Sequence, residues 1–158
     1  MNVIWGTILL AVAPISELRG AIPFAFFHGV PLWLALCIGT AANLLVSPIA
    51  FLFLSFIHRT FYRHWAFYVK VFDATLLRTR RKLGPHVAKY GVWGVMLFVG
   101  IPLPITGAWT GTLGAWAFGL GKKRSILAVS CGVLIAGAIV GTLLAAGVQV
   151  GTVFLKQL

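Results

Sequence analysis

The sequence predicts an all-α integral membrane protein: an inverted repeat of a re-entrant helical hairpin followed by a transmembrane helix, with an interfacial amphipathic helix between the halves. Three observations predict it. Of the 158 residues, 60% are hydrophobic and 9% charged, where a soluble domain carries about 25% charged residues. Two interrupted apolar segments are each followed by an unbroken one. The basic residues gather in two short clusters between apolar stretches, the footprint of cytoplasmic loops. That clustering argues against nucleic acid as the partner of a chain with net charge +11.

Residues 1–30 read as the first hairpin. The run VIWGTILLAVA, residues 3–13, is shorter than the ~20 residues a span requires. No charged leader precedes it, so no removable signal peptide is expected. Next comes PISELRGAIPFAFFHG, residues 14–29, with Glu17 and Arg19 between Pro14 and Pro23. Each proline removes a backbone donor and crowds the preceding turn, so the chain should break near Glu17 and return. Broken backbone at membrane depth persists only when buried in protein or lining a wet cavity. Ionisable groups at that depth point to function.

Residues 32–57 form a full-length span, with Pro48 expected to kink it. Its middle is small and polar, and Asn43 there is expected to make an interhelical hydrogen bond or to contact substrate. Residues 58–89 form the basic cytoplasmic segment. Phe61, Trp65, Tyr68, Phe72 and Leu76 recur at helical spacing, which predicts an amphipathic helix in the interface, ended by Gly84 and Pro85. Its run Arg78, Arg80, Arg81, Lys82 should meet anionic headgroups. Asp73 is expected to pair with Lys70 or Arg80.

Residues 90–121 form the second hairpin, broken at Gly100, Pro102 and Pro104. Residues 125–155 form the last span, in which Gly137 and Gly141, and Gly147 and Gly151, make GxxxG pairs. The two breaks share a short likeness, Pro14-Ile15-Ser16 against Pro104-Ile105-Thr106. Paired interrupted segments indicate inverted repeats with a site between them. If both hairpins return to the side they entered from, the loop 58–89 and the cluster 122–124 share one face. Eleven of the thirteen Lys and Arg residues would then be cytoplasmic, with both termini outside. The short loops suit a prokaryotic inner membrane.

The stretches ISELRGAIPF and GIPLPITGAWTGTLGAW resemble the signatures of the small multi-drug export protein family, thought to be distantly related to the DedA/SNARE-associated Golgi (VTT) membrane proteins. The resemblance implies hairpins that face each other. By DedA analogy it implies movement of polyprenyl phosphates or phospholipids, coupled to protons or sodium. Glu17 matches the acidic position of the first hairpin and Arg19 the basic one. The second hairpin, from 101 to 119, has no charged residue. Anion binding would fall to Arg19 and to backbone donors at helix N-termini near Thr106 or Thr110.

Arg19 offers a guanidinium fork to phosphate or carboxylate. Glu17, between an apolar wall and Arg19, is balanced so that it could exchange protons. The candidate substrate- and ion-binding set is therefore Glu17, Arg19, Pro14, Pro23 and Asn43 in the first half. Pro102, Pro104, Thr106, Trp109 and Thr110 complete it in the second. Cys37 and Cys131 lie in separate apolar stretches and read as buried small hydrophobes. Glu17 and Asp73 are the only carboxylates, and no nucleophile–base pair or metal-ligand cluster stands out. No enzyme, metal or cofactor is expected.

Three functions fit: a transporter of a phosphate-bearing lipid coupled through Glu17, a proton-coupled exporter of small lipophilic cations, or a non-transporting membrane assembly factor. Membrane lipids are expected neighbours, and two spans with two hairpins suggest a homodimer.

Overall fold

The computed structural model describes residues 2–102 and 106–156, and every regular element among them is helical. The first broken segment gives α1 (Val3–Val12) and α2 (Glu17–Phe27). Asn2 starts α1 by accepting the Ile4 N–H at 3.4 Å. Ala13 leaves the helix in an extended conformation, as a residue before proline must. The break at 13–16 falls where the sequence places it. Pro23 does not break the chain, because α2 runs through it. The cost is one backbone bond: proline has no N–H to give the Arg19 carbonyl. Gly29, at φ +87, makes the turn into α3.

The first long segment gives α3 (Leu32–Leu44), α4 (Val46–Leu52) and a π-helical turn, Phe53–Ile57. The interruption sits at Leu45, one turn before Pro48, where the proline ring crowds the preceding turn. Leu32–Phe56 and Lys122–Gly147 are two helical stretches long and apolar enough to cross a membrane.

The basic segment departs from expectation in three ways. It is two helices, α5 (His58–His64) and α6 (Ala66–Tyr90), because Trp65 is extended (φ −126, ψ 99). The stripe that starts at Phe61 therefore changes phase. Gly84 and Pro85 do not end α6, which continues to Gly91 at φ +58. Pro85 is exposed, and the cost of keeping it inside α6 is the bond its missing N–H would give the Arg81 carbonyl. Asp73 accepts from Tyr62 Oη at 3.1 and 3.2 Å, while exposed Arg80 donates to the Ala117 carbonyl at 3.1 Å. The bond to Asp73 raises the Tyr62 phenol above its usual range.

The second broken segment gives α7 (Val92–Gly100) and α8 (Ala108–Ala117), and α9 (Lys122–Lys156) follows. The seam between α3 and α9 uses Gly137 and Gly141: a Cβ at these positions would meet Thr40 Oγ1 at 2.8 Å and Leu36 at 2.9 Å. Gly132 likewise accommodates Val99 of α7. These small positions let helix backbones approach closely, and they are used within the chain rather than left for a partner. Cys37 and Cys131 are exposed, not buried; they lie on the outer surface of the helices.

Candidate functional site

The two broken segments meet end to end, and each supplies what the other lacks. Helix α8 begins after Gly107 with unpaired backbone N–H groups. The Glu17 carboxylate accepts two of them, from Ala108 and from Trp109, each at 3.2 Å. A carboxylate at a helix N-terminus also opposes the positive end of the helix dipole. In return, Trp109 Nε1–H donates to the carbonyl of Val12, the last residue of α1, at 2.8 Å. An anion from the first segment thus caps the second, and an indole from the second caps the first.

Local backbone makes this possible. Glu17 has φ +50, the one non-glycine positive φ among the described residues. Left-handed backbone costs an ordinary residue about 1–2 kcal/mol, and such strain persists where surrounding contacts over-determine it. Here it opens α2 and turns the carboxylate towards α8. It also brings Glu17 to Arg19: Arg19 Nη2 stands 3.6 Å from Glu17 Oε2, a pair that regular helix would keep on different faces. Gly107 is extended (φ 176), so its glycine is required by space alone. A Cβ there would collide with the Glu17 carboxylate. Thr110 Oγ1 accepts the Gly107 N–H at 3.0 Å, and Thr106 Oγ1 donates to the Ile101 carbonyl at 2.8 Å.

This junction borders a cavity of about 530 Å³, the size range of small-molecule sites. Glu17, Arg19, Thr75, Thr106 and Thr110 supply its polar groups; Phe53, Leu54, Phe72, Trp109 and Leu113 supply apolar wall. Glu17 is 5% exposed, and the Arg19 side chain 21%.

Of the sequence candidates, Glu17, Arg19, Pro14, Thr106, Trp109 and Thr110 line this cavity. Pro23 lies inside α2, and neither it, Asn43 nor Pro102 is among the lining residues. Pro104 lies outside the described residues. Asn43 is fully buried, and among the described residues its amide nitrogen and oxygen have no hydrogen-bond partner, so the expected interhelical bond is not seen there. One turn on, Ser47 makes the interhelical bond instead, accepting from Thr112 Oγ1 at 3.0 Å. The anion seat expected at the start of α8 is filled by the chain's own Glu17.

A family model described as "Putative small multi-drug export protein" matches residues 17–139. The chain belongs to this family. The match opens on Glu17 and spans Arg19, the first long helix, α6 and the α7–α8 break. Neither a curated protein nor a solved structure matches the chain. The family description and the two long apolar helices mark a membrane protein of the small multidrug-export type.

Sequence reasoning missed Gly107, Phe53, Leu54, Phe72, Thr75 and Leu113. Gly107 was legible in one respect: a glycine at the N-terminal edge of a helix next to a proline break leaves room for an incoming group. Phe72 was read as membrane-facing because the break at Trp65 was not visible.

Proposed function

We propose that the chain exports small lipophilic organic cations, which exchange with a proton at Glu17. One observation carries this reading: a buried carboxylate opens onto a cavity of about 530 Å³ walled by Phe53, Phe72 and Trp109. Aromatic faces attract a cation, apolar wall takes its hydrocarbon body, and the carboxylate fixes its charge. Arg19 holds the carboxylate when the cavity is empty; a bound cation takes over that role, and protonation of Glu17 releases it. The family description supports export.

We place the two broken segments as re-entrant hairpins whose tips meet inside the membrane, each followed by a crossing helix, as an inverted repeat. The capping exchange between Glu17 and Trp109 supports this arrangement, since polar tips at that depth must satisfy each other. The basic loops are then cytoplasmic and both termini outside, in a prokaryotic inner membrane. Exposed Leu127 and Leu134, two turns apart on α9, offer the face for a homodimer.

A second reading, transport of a phosphate-bearing lipid, draws on Arg19, whose guanidinium borders the same cavity. Thermal stability of the purified protein in mild detergent separates the two. At about 100 times its dissociation constant a ligand adds roughly 2.7 kcal/mol. Tetraphenylphosphonium should stabilise the wild type and not Glu17→Gln. Stabilisation by a polyprenyl phosphate alone, lost in Arg19→Ala, would overturn the cation reading in favour of the lipid one.

A further inference from the structure

The outer face of α6 joins two features. Its first half exposes apolar side chains: Phe67 is 80% exposed, Val71 50% and Leu77 67%. Its second half exposes Arg78, Arg81, Lys82 and Lys89. Residues 67, 71, 78, 82 and 89 follow helical spacing along one side. Phe72, Thr79 and Leu83 form the inner stripe, of which Thr79 is 4% and Leu83 0% exposed; Thr75, exposed, stands at its edge. Phe72 and Thr75 are cavity wall. The Phe72 ring meets Trp116 edge-on at 6.2 Å, and Leu83 fills the space beside Gly114 of α8. One helix therefore carries cavity wall on one side and an exposed apolar and basic surface beside it.

We propose that this outer face binds the headgroup layer of anionic phospholipids, and that the contact holds Phe72 and Thr75 against the cavity. Charge complementarity selects the partner. Against 13 Lys and Arg the chain has only two carboxylates. Of these, Glu17 is capped inside the bundle, and Asp73 is engaged by Tyr62. Among the described residues, no carboxylate is left to serve the basic half of α6. A negative membrane surface supplies it, while Phe67, Val71 and Leu77 enter the boundary between headgroups and acyl chains. A soluble anion would neutralise the charges and leave these three apolar side chains in water, so the surface commits to a bilayer. Clamped between bilayer and bundle, α6 keeps the cavity closed on its cytoplasmic edge; in a neutral bilayer the wall loosens.

The test uses full-length protein in nanodiscs with Cys37→Ala and Cys131→Ala, carrying Phe67→Cys or Thr75→Cys. Alkylation by a water-soluble maleimide is timed in phosphatidylcholine alone and in phosphatidylcholine with phosphatidylglycerol. Anionic lipid should slow labelling at both positions by roughly tenfold, given several basic residues at the surface. High salt should reverse the effect. The exposed-site variant Arg78→Gln/Arg81→Gln/Lys82→Gln should label at the neutral-bilayer rate in both. Equal rates in the two bilayers, or a lipid effect that survives the triple variant, would overturn the proposal. If only Phe67→Cys slows, the surface binds lipid without controlling the cavity, and the clamp is wrong. No substrate enters the readout, so failure here is distinct from failure of the export reading.

Discussion

At the scale of single residues, the site turns on one carboxylate and the glycine that makes room for it. Gly107→Ala puts a methyl group where the Glu17 carboxylate sits. We expect a loss of about 1–3 kcal/mol, read by chemical denaturation in detergent. Glu17→Gln keeps the size of the side chain and an acceptor oxygen for one of the two α8 N–H groups that Oε1 and Oε2 now accept, so it should fold with a loss of about 1 kcal/mol while losing the exchangeable charge. Trp109→Phe removes the 2.8 Å bond to Val12 but keeps the aromatic wall, and should cost about 1 kcal/mol. A larger loss would mean that the indole does more than cap α1. The sequence made Glu17 and Arg19 conspicuous, because ionisable groups are rare in so apolar a chain. It could not reveal that Glu17 caps α8, a contact between residues 91 positions apart. Asn43 shows the opposite: a polar residue in an apolar run invites a partner, yet Ser47 takes the bond to α8.

At the scale of elements, the positions of the breaks were readable and their consequences less so. Apolar run length and the pair Pro14 and Gly100 set the ends of α1 and α7, since short runs cannot cross. Proline was the poorer guide. Pro23 and Pro85 lie inside helices, each at the cost of one backbone bond, which the rest of the helix withstands. The GxxxG pair Gly137 and Gly141 was visible as a packing signal, but which helix would use it was not. Thr40 and Leu36 of α3 fill that groove. Gly141→Ile should therefore push α9 from α3 and lower stability by at least ~2 kcal/mol, whereas Leu143→Ala, 65% exposed on the far side of α9, should change it by less than ~0.5 kcal/mol. Equal costs would mean that the α3–α9 seam is not the tight one.

At the scale of the whole molecule, composition alone gave the membrane class, and the two long helices agree with it. The proposed topology rests on charge. In a background of Cys37→Ala and Cys131→Ala, Arg81→Cys and Lys123→Cys are both exposed positions. Both should be shielded from a membrane-impermeant maleimide added to intact cells, and both should react after lysis. Reaction of one and not the other in intact cells would place the basic clusters in opposite compartments and remove the paired-hairpin arrangement. Thr79 lies in the same basic stretch but is buried against α8, so position 81 carries the label.

The most direct test of the central claim is transport itself. Purified protein in liposomes, with a proton gradient imposed, should drive tetraphenylphosphonium movement with proton counterflow. Glu17→Gln, folded and inserted to the same extent, should move it at least roughly tenfold more slowly, the equivalent of ~1.4 kcal/mol in the barrier. Wild-type rates in a folded Glu17→Gln protein would contradict the assignment of Glu17 as the exchanging group.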